Sequence, residues 1–218
     1  APLRNIPVII IGETGSGKEM VAKAIAQLSG HPLELFLEVN CATLGNQDIL
    51  ESKLFGHMKG AFTGAIDDYQ GLIRMANNGT IFLDEMQSMS LETQSKLLKV
   101  IEDGKVMPLK GKMWYDVKVR YLGAFQSDPK SLTDNRSFRE DLYHRINGFS
   151  IVIPPLRERP GDIEKLVKCF MPQIRIEVKN QAIKDPDKNI IRMLLSYRWS
   201  GNVRELYSET RMAAIRNK

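Results

Sequence analysis

A chain of 218 residues, 43% of them hydrophobic, is long enough for one α/β domain with a small appendage and a real core. Its two cysteines, Cys41 and Cys169, form no metal-spaced or redox pair and fit a reducing cytoplasm; no apolar stretch approaches membrane-spanning length or resembles a signal peptide. The formal charge of +5 spreads 31 basic residues among 26 acidic ones without a dense block, which favours a mixed surface with a polyanion site over direct DNA binding.

The chain opens Ala1-Pro2 and reads as a segment of a longer protein. The apolar run Val8–Ile11 predicts a buried strand, followed directly by Gly12-Glu13-Thr14-Gly15-Ser16-Gly17-Lys18. Strand, glycine turn and helix in that order are the context a phosphate-binding loop requires. The three glycines leave room for backbone N–H groups to converge on an anion, Lys18 adds a point charge, and the next helix aims its positive end there. A nucleoside triphosphate is the ligand this predicts. Glu19 stands where Ser or Thr normally gives a hydroxyl to Mg²⁺, so Asp84, water and phosphates must fill the coordination shell. In the following helix Met20, Val21, Ala24, Ile25 and Leu28 fall on one face.

Further strands are predicted at Leu35–Val39, Thr80–Leu83, Val117–Ala124 and Phe149–Ile153, with a helix around Leu91–Ile101 stopped at Gly104. Alternating buried strands and helices argue for a mostly parallel, doubly wound sheet with its ligand at the carboxyl ends of the strands. The third strand runs into Asp84-Glu85. Paired with a phosphate-binding loop, Asp84 is suited to hold Mg²⁺ and Glu85 to orient or deprotonate water; a helix N-terminus with favoured acids is the plainer alternative. Pro154–Pro160 holds three prolines, forbids regular structure and marks a boundary, giving domains 1–155 and 156–218. Helical patterns at Ile163–Phe170, Ile190–Tyr197 and Val203–Ile215 predict a small helical lid. His31, His57 and His144 lack ligand spacing, so no metal beyond nucleotide-bound Mg²⁺ is expected.

Gly60-Ala61-Phe62-Thr63-Gly64-Ala65 resembles the hexapeptide of the bacterial enhancer-binding proteins, AAA+ ATPases that activate the sigma-54 form of RNA polymerase. The resemblance extends through Asn40-Cys41-Ala42, Leu54-Phe55-Gly56-His57, Phe138–Arg145, Pro155–Arg159 and Trp199–Leu206, essentially the whole chain. In that family Glu is the usual residue after the P-loop lysine, as Glu19 is here. The resemblance implies a P-loop NTPase fold with a helical lid, ATP and Mg²⁺ as ligands, and assembly into a ring, expected to be a hexamer. It also implies a sensory domain before this region and a helix-turn-helix DNA-binding domain after it, neither present in this sequence.

It carries roles to particular residues. Phe62 and Thr63 are expected at the tip of a surface loop contacting sigma-54; without the family, the six residues read as a turn with a buried Phe anchor. Arg139 and Arg145 are expected to be arginine fingers completing a neighbouring subunit's site, although Arg139 has acids nearby to pair with. Arg204 is the expected sensor arginine of the lid. Asn40 resembles the residue that holds the catalytic glutamate in a non-hydrolysing position, and is equally a common turn residue at a strand end. Ala124-Phe125-Gln126 stands where the family shows Ala-Thr-Asn, so Gln126 is the expected γ-phosphate sensor on a longer arm. Leu109–Tyr115, with Lys110, Lys112 and Trp114, occupies the place of the second pore loop. Two rivals remain: a different AAA+ remodelling motor, against which the hexapeptide counts, and a weakly hydrolysing ATP-responsive module, which Gln126 favours.

Overall fold

The computed structural model describes residues 5–42 and 47–216. They fall into two compact units. One runs to Ile11 and from Glu19 to Val152; the other comprises Gly12–Lys18 and the residues from Ile153 onward.

In the first unit, strands β1 (Val8–Ile11), β2 (Phe36–Asn40), β3 (Thr80–Asp84), β6 (Arg120–Phe125) and β7 (Phe149–Val152) form one parallel sheet, ordered β2-β3-β6-β1-β7. Its core strands read as continuous apolar runs because both faces are covered: Ile81, Leu122, Ala124 and Phe125 have no exposed surface. Register sets Ile11 beside Phe125 and Val152, and Asn40 beside Asp84, so these strands release their carboxyl ends along one edge. The short strands β4 (Lys105–Val106) and β5 (Tyr115–Asp116) make a separate antiparallel ribbon that the sequence reading missed. The strand expected from Val117 begins only at Arg120, because Val117 and Lys118 bond instead to Gly104 and Asn77 in the connecting turns.

Helix α1 (Lys18–Leu28) forms where expected but buries a different face. Met20 and Leu28 are largely exposed, while Ala22 and Ala26, one turn apart, are fully buried; small side chains at i and i+4 allow close packing. Helices α2 (Gln47–Phe55), α3 (Leu72–Met75) and α4 (Leu91–Asp103) follow. The side chain of Ser90 caps α4 by accepting from Thr93 N–H at 3.1 Å, and Gly104 closes it in the left-handed region at φ 62°, as the sequence predicts. Helices α5 (Lys130–Asp134) and α6 (Glu140–Ile146) complete this unit.

The second unit's helices are α7 (Ile163–Glu177), α8 (Lys188–Ser196) and α9 (Asn202–Arg216). Leu156, Ile163, Val167, Met171, Ile174, Trp199 and Leu206 form its core. The proline-rich segment is not wholly irregular: it holds two 3-10 turns, Leu156–Glu158 and Pro160–Asp162. Among the described residues no helix is long and apolar enough to cross a membrane.

Candidate functional site

The glycine turn is assembled within the second unit. Gly15 and Gly17 take φ of 76° and 105°, values that favour glycine. A Cβ on Gly15 would stand 2.4 Å from the carbonyl oxygen of Gly201, so the turn rests backbone to backbone on the entry to α9. Val203 N–H donates to Gly15 O at 3.0 Å, and the Arg159 guanidinium donates to Ser16 O at 2.7 Å. Lys18 is buried and its ammonium donates to the carbonyls of Gly12 (2.8 Å) and Glu13 (3.3 Å). Ser16 Oγ is buried without a hydrogen-bond partner, an orphan of the kind an arriving phosphate oxygen can satisfy. Thr14 and Arg204 are exposed, and the Arg204 backbone N–H reaches Gly15 O at 3.4 Å.

Two residues missed in the sequence hold this turn. Arg157 forms a bidentate pair with Glu13 at 2.6 and 2.8 Å. Asn202, fully buried at φ 57°, accepts from Leu156 N–H (2.8 Å) and donates to Glu13 Oε2 (3.1 Å) and Thr14 O (3.0 Å). The hydrogen bonds from Arg157 and then Asn202 hold the Glu13 carboxyl down at about 2. Its partners lie over 140 residues away in sequence, so no local pattern signals the pairing. In the first unit, Glu19 is exposed and paired with Lys23 one turn on.

Asp84 ends the buried β3 and Glu85 follows it, both half-exposed, before a single 3-10 turn, Met86–Ser88, rather than an α-helix. Glu85 adopts the left-handed region at φ 55°, ψ 45°, which costs a non-glycine residue about 1–2 kcal/mol. Two contacts hold it there. Asp84 Oδ1 accepts the Glu85 N–H at 2.9 Å, and Met86, fully buried, lays its sulfur over Gly123 of β6, where a Cβ would stand at 2.5 Å. Gln126, just past β6, donates from Nε2 to Glu85 Oε1 at 3.2 Å. Asn40 Oδ1 accepts from Ala42 N–H at 2.8 Å, the turn role named as its alternative.

In the first unit, Arg139 stands at the N-cap of α6 and Arg145 lies in its last turn. Arg139 is tied within the chain: it donates to Asp141 Oδ1 (3.0 Å) and Oδ2 (2.6 Å) and to Ser95 Oγ (3.0 Å). Gln94 of α4, fully buried, fixes the backbone there by accepting from Arg139 N–H at 2.8 Å and donating to Ser137 O at 3.2 Å. Sequence reading named an acid partner for Arg139 but missed Gln94, whose partner is 45 residues distant. Arg145 is exposed, with a long 3.5 Å contact to Ile101 O.

The hexapeptide folds as a compact turn. Gly60 N–H donates to Ala65 O (2.8 Å), Ala65 N–H to Phe62 O (3.0 Å), and Gly60 and Gly64 take φ of 76° and 101°. Ala61 N–H donates to Met58 O at 3.0 Å, and Ala65 is buried. Phe62 and Thr63 do not share the tip: Thr63 is exposed, whereas Phe62 is half-buried edge-on against the His57 ring at 5.0 Å. An aromatic finds more to gain on a neighbouring ring than in water. His57 is fixed by Ser52 Oγ at 2.7 Å and bridges both Tyr69 and Leu109. Lys110 donates to Gly60 O at 3.2 Å, so the 109–115 segment and the hexapeptide share a base.

A family model described as "Sigma-54 interaction domain" matches residues 2–152, and one described as "AAA+ ATPase lid domain" matches 157–218. The hydrogenase transcriptional regulatory protein HoxA of Cupriavidus necator is 42% identical over 94% of this chain and 42% of its own length. The Nif-specific regulatory protein of Azotobacter vinelandii is 42% identical over 97% of this chain and 41% of its own. The chain thus spans under half the length of these curated relatives. The crystal structure of NtrX from Brucella abortus in complex with ATP is 30% identical, with a TM-score of 0.85 over 98% of this chain and 46% of that one. A further NtrX structure is in complex with ADP. This chain belongs to the sigma-54 interaction domain family, with an AAA+ ATPase α/β fold and helical lid.

Proposed function

We propose that the chain binds ATP on the glycine turn, hydrolyses it, and uses the cycle to move the Gly60–Ala65 loop against sigma-54 RNA polymerase, remodelling its closed complex. The observation that carries this reading is the turn itself: two glycines at positive φ, a buried Lys18 whose ammonium is held on the Gly12 and Glu13 carbonyls, and the orphaned Ser16 hydroxyl. Family membership and the ATP and ADP complexes of NtrX support a nucleotide there.

In this reading Gly12–Lys18 bind the phosphates, Glu19 follows them in the first turn of α1, and Arg204 reads their charge. Glu85 orients the attacking water and accepts its proton, the usual task of such a carboxylate. No cluster of three His, Cys, Asp or Glu side chains that could hold a metal occurs among the described residues. Asp84, a single hard carboxylate, nonetheless fits Mg²⁺, which is held by one or two carboxylates with substrate phosphates and water. When bound, Mg²⁺ supplies neutralisation of β/γ-phosphate charge. Arg139 and Arg145 act in trans on the nucleotide of an adjacent copy in a ring, a hexamer by family. For Arg139 this requires exchange of Asp141 for phosphate. Asn40, which pairs in register with Asp84, takes the role of holding the catalytic glutamate in a non-hydrolysing position. DNA binding belongs to a domain outside this sequence.

A weakly hydrolysing, ATP-responsive module is the second reading, favoured by the Gln126 contact that engages the catalytic carboxylate. Steady-state phosphate release separates the two. We expect ATP turnover that Glu85→Gln lowers about 100-fold or more while nucleotide affinity, measured by fluorescent-ADP titration, stays within error. Wild-type turnover no higher than that of the variant overturns the enzymatic reading.

A further inference from the structure

We propose that Gln126 is a positioning residue that holds Glu85 out of its hydrolytic pose, rather than only a γ-phosphate sensor. The inference rests on the functional reading above, in which Glu85 is the catalytic carboxylate.

Three observations converge on one short turn. The Glu85 backbone is confined to the left-handed region, which fixes the direction in which its side chain leaves. Met86, immediately after it, is locked over Gly123 of β6, so the turn is docked on that strand. At the end of the same strand Gln126 donates its amide to Glu85 Oε1 at 3.2 Å. One face of the carboxylate is thereby occupied by a donor, and the side chain is drawn toward the β6 end. A carboxylate so engaged has one fewer lone pair for a water proton and is held away from other geometries.

The length of the side chain matters. An Asn at 126 would end its amide about 1.5 Å short. From a separation of 3.2 Å that puts the donor beyond hydrogen-bond range. The methylene that distinguishes Gln126 from the amide expected by resemblance is therefore what creates this contact. The bond is exposed, so water competes for it and the hold is weak and releasable. A contact of that strength suits a latch that partner binding or a bound γ-phosphate can open, and it would limit turnover only several-fold.

The test uses Gln126→Ala and Gln126→Asn in the same chain, with two readouts. Both variants are expected to raise basal ATP turnover by about two- to tenfold, the population shift one solvated hydrogen bond can supply. Affinity for fluorescent ADP should stay unchanged. In the nucleotide-free wild type, the Gln126 side-chain amide resonance should shift on Glu85→Ala. A fall in turnover on Gln126→Ala, or no change, overturns the latch, a fall marking Gln126 as a sensor of the phosphate instead. An amide resonance indifferent to Glu85→Ala overturns the contact itself. Wild-type turnover indistinguishable from Glu85→Gln removes the enzymatic reading rather than the latch, and the resonance then still decides whether the two side chains meet.

Discussion

Glu13 shows how a single residue of the glycine turn couples to distant sequence. Its carboxyl is held at about 2, against an ordinary 4.5, first by the hydrogen bonds of Arg157 and then by Asn202. A carboxyl with a depressed folded-state value contributes stability that is fully present above its unfolded value and is lost as pH falls through the folded one. Between pH 4.5 and about 2 the wild-type chain should therefore lose more thermal stability than Glu13→Gln, as followed by calorimetric Tm. Parallel declines would contradict the coupling. At this scale the residues that offer chemistry were legible, because Gly, Lys and paired acids at fixed spacing have few other reasons to occur together. Their partners were not: Gln94 and Asn202 are buried amides whose contacts exist only after folding. The contact of Gln126 with Glu85 likewise exists only after folding.

Among the elements, burial made the inner strands legible. The inner strands β1, β3 and β6 announce themselves as apolar runs because both faces of the sheet are covered there, whereas the edge strand β7, with Phe149 and Val152 exposed, is legible only from its aromatic and β-branched residues. The ribbon β4–β5, two residues a strand, has too little pattern to detect. Helix α1 was recognised but its buried face was assigned to large apolar residues, when Ala22 and Ala26 make the close packing. The hexapeptide is the element on which the proposed partner function turns. Thr63 alone of its two tip residues is exposed; Phe62 sits on the His57 ring. Thr63→Ala should leave ATP turnover within about twofold of wild type, as a substitution of an exposed side chain. It should abolish sigma-54-dependent promoter opening in a reconstituted assay. Promoter opening at the wild-type rate would remove the loop from the proposed mechanism. Phe62→Ala should instead also loosen the turn, detectable as faster amide exchange at Gly60 and Ala65, whose N–H groups bond within the loop.

At the scale of the whole molecule, the reading proposed above has a second chain complete the site. Arg139 is spent on Asp141 and Ser95, and Arg145 makes only a long contact with a backbone carbonyl, so neither is committed to a buried structural role. An arginine that reaches phosphate in trans contributes about 10³–10⁵ to turnover in related phosphoryl-transfer enzymes. Turnover per chain should consequently rise with protein concentration, in step with assembly seen by sedimentation. A constant value over that range would mean that each chain hydrolyses alone.

The decisive measurement is complementation between two inactive variants. Chains carrying Glu85→Gln lack the base but keep Arg139, and chains carrying Arg139→Ala keep the base but lack the arginine. If hydrolysis needs the base of one copy and the arginine of the next, mixing the two preparations restores ATP turnover that neither shows alone. If the mixture stays as inactive as its parts while both variants still bind nucleotide and assemble, the shared site does not exist.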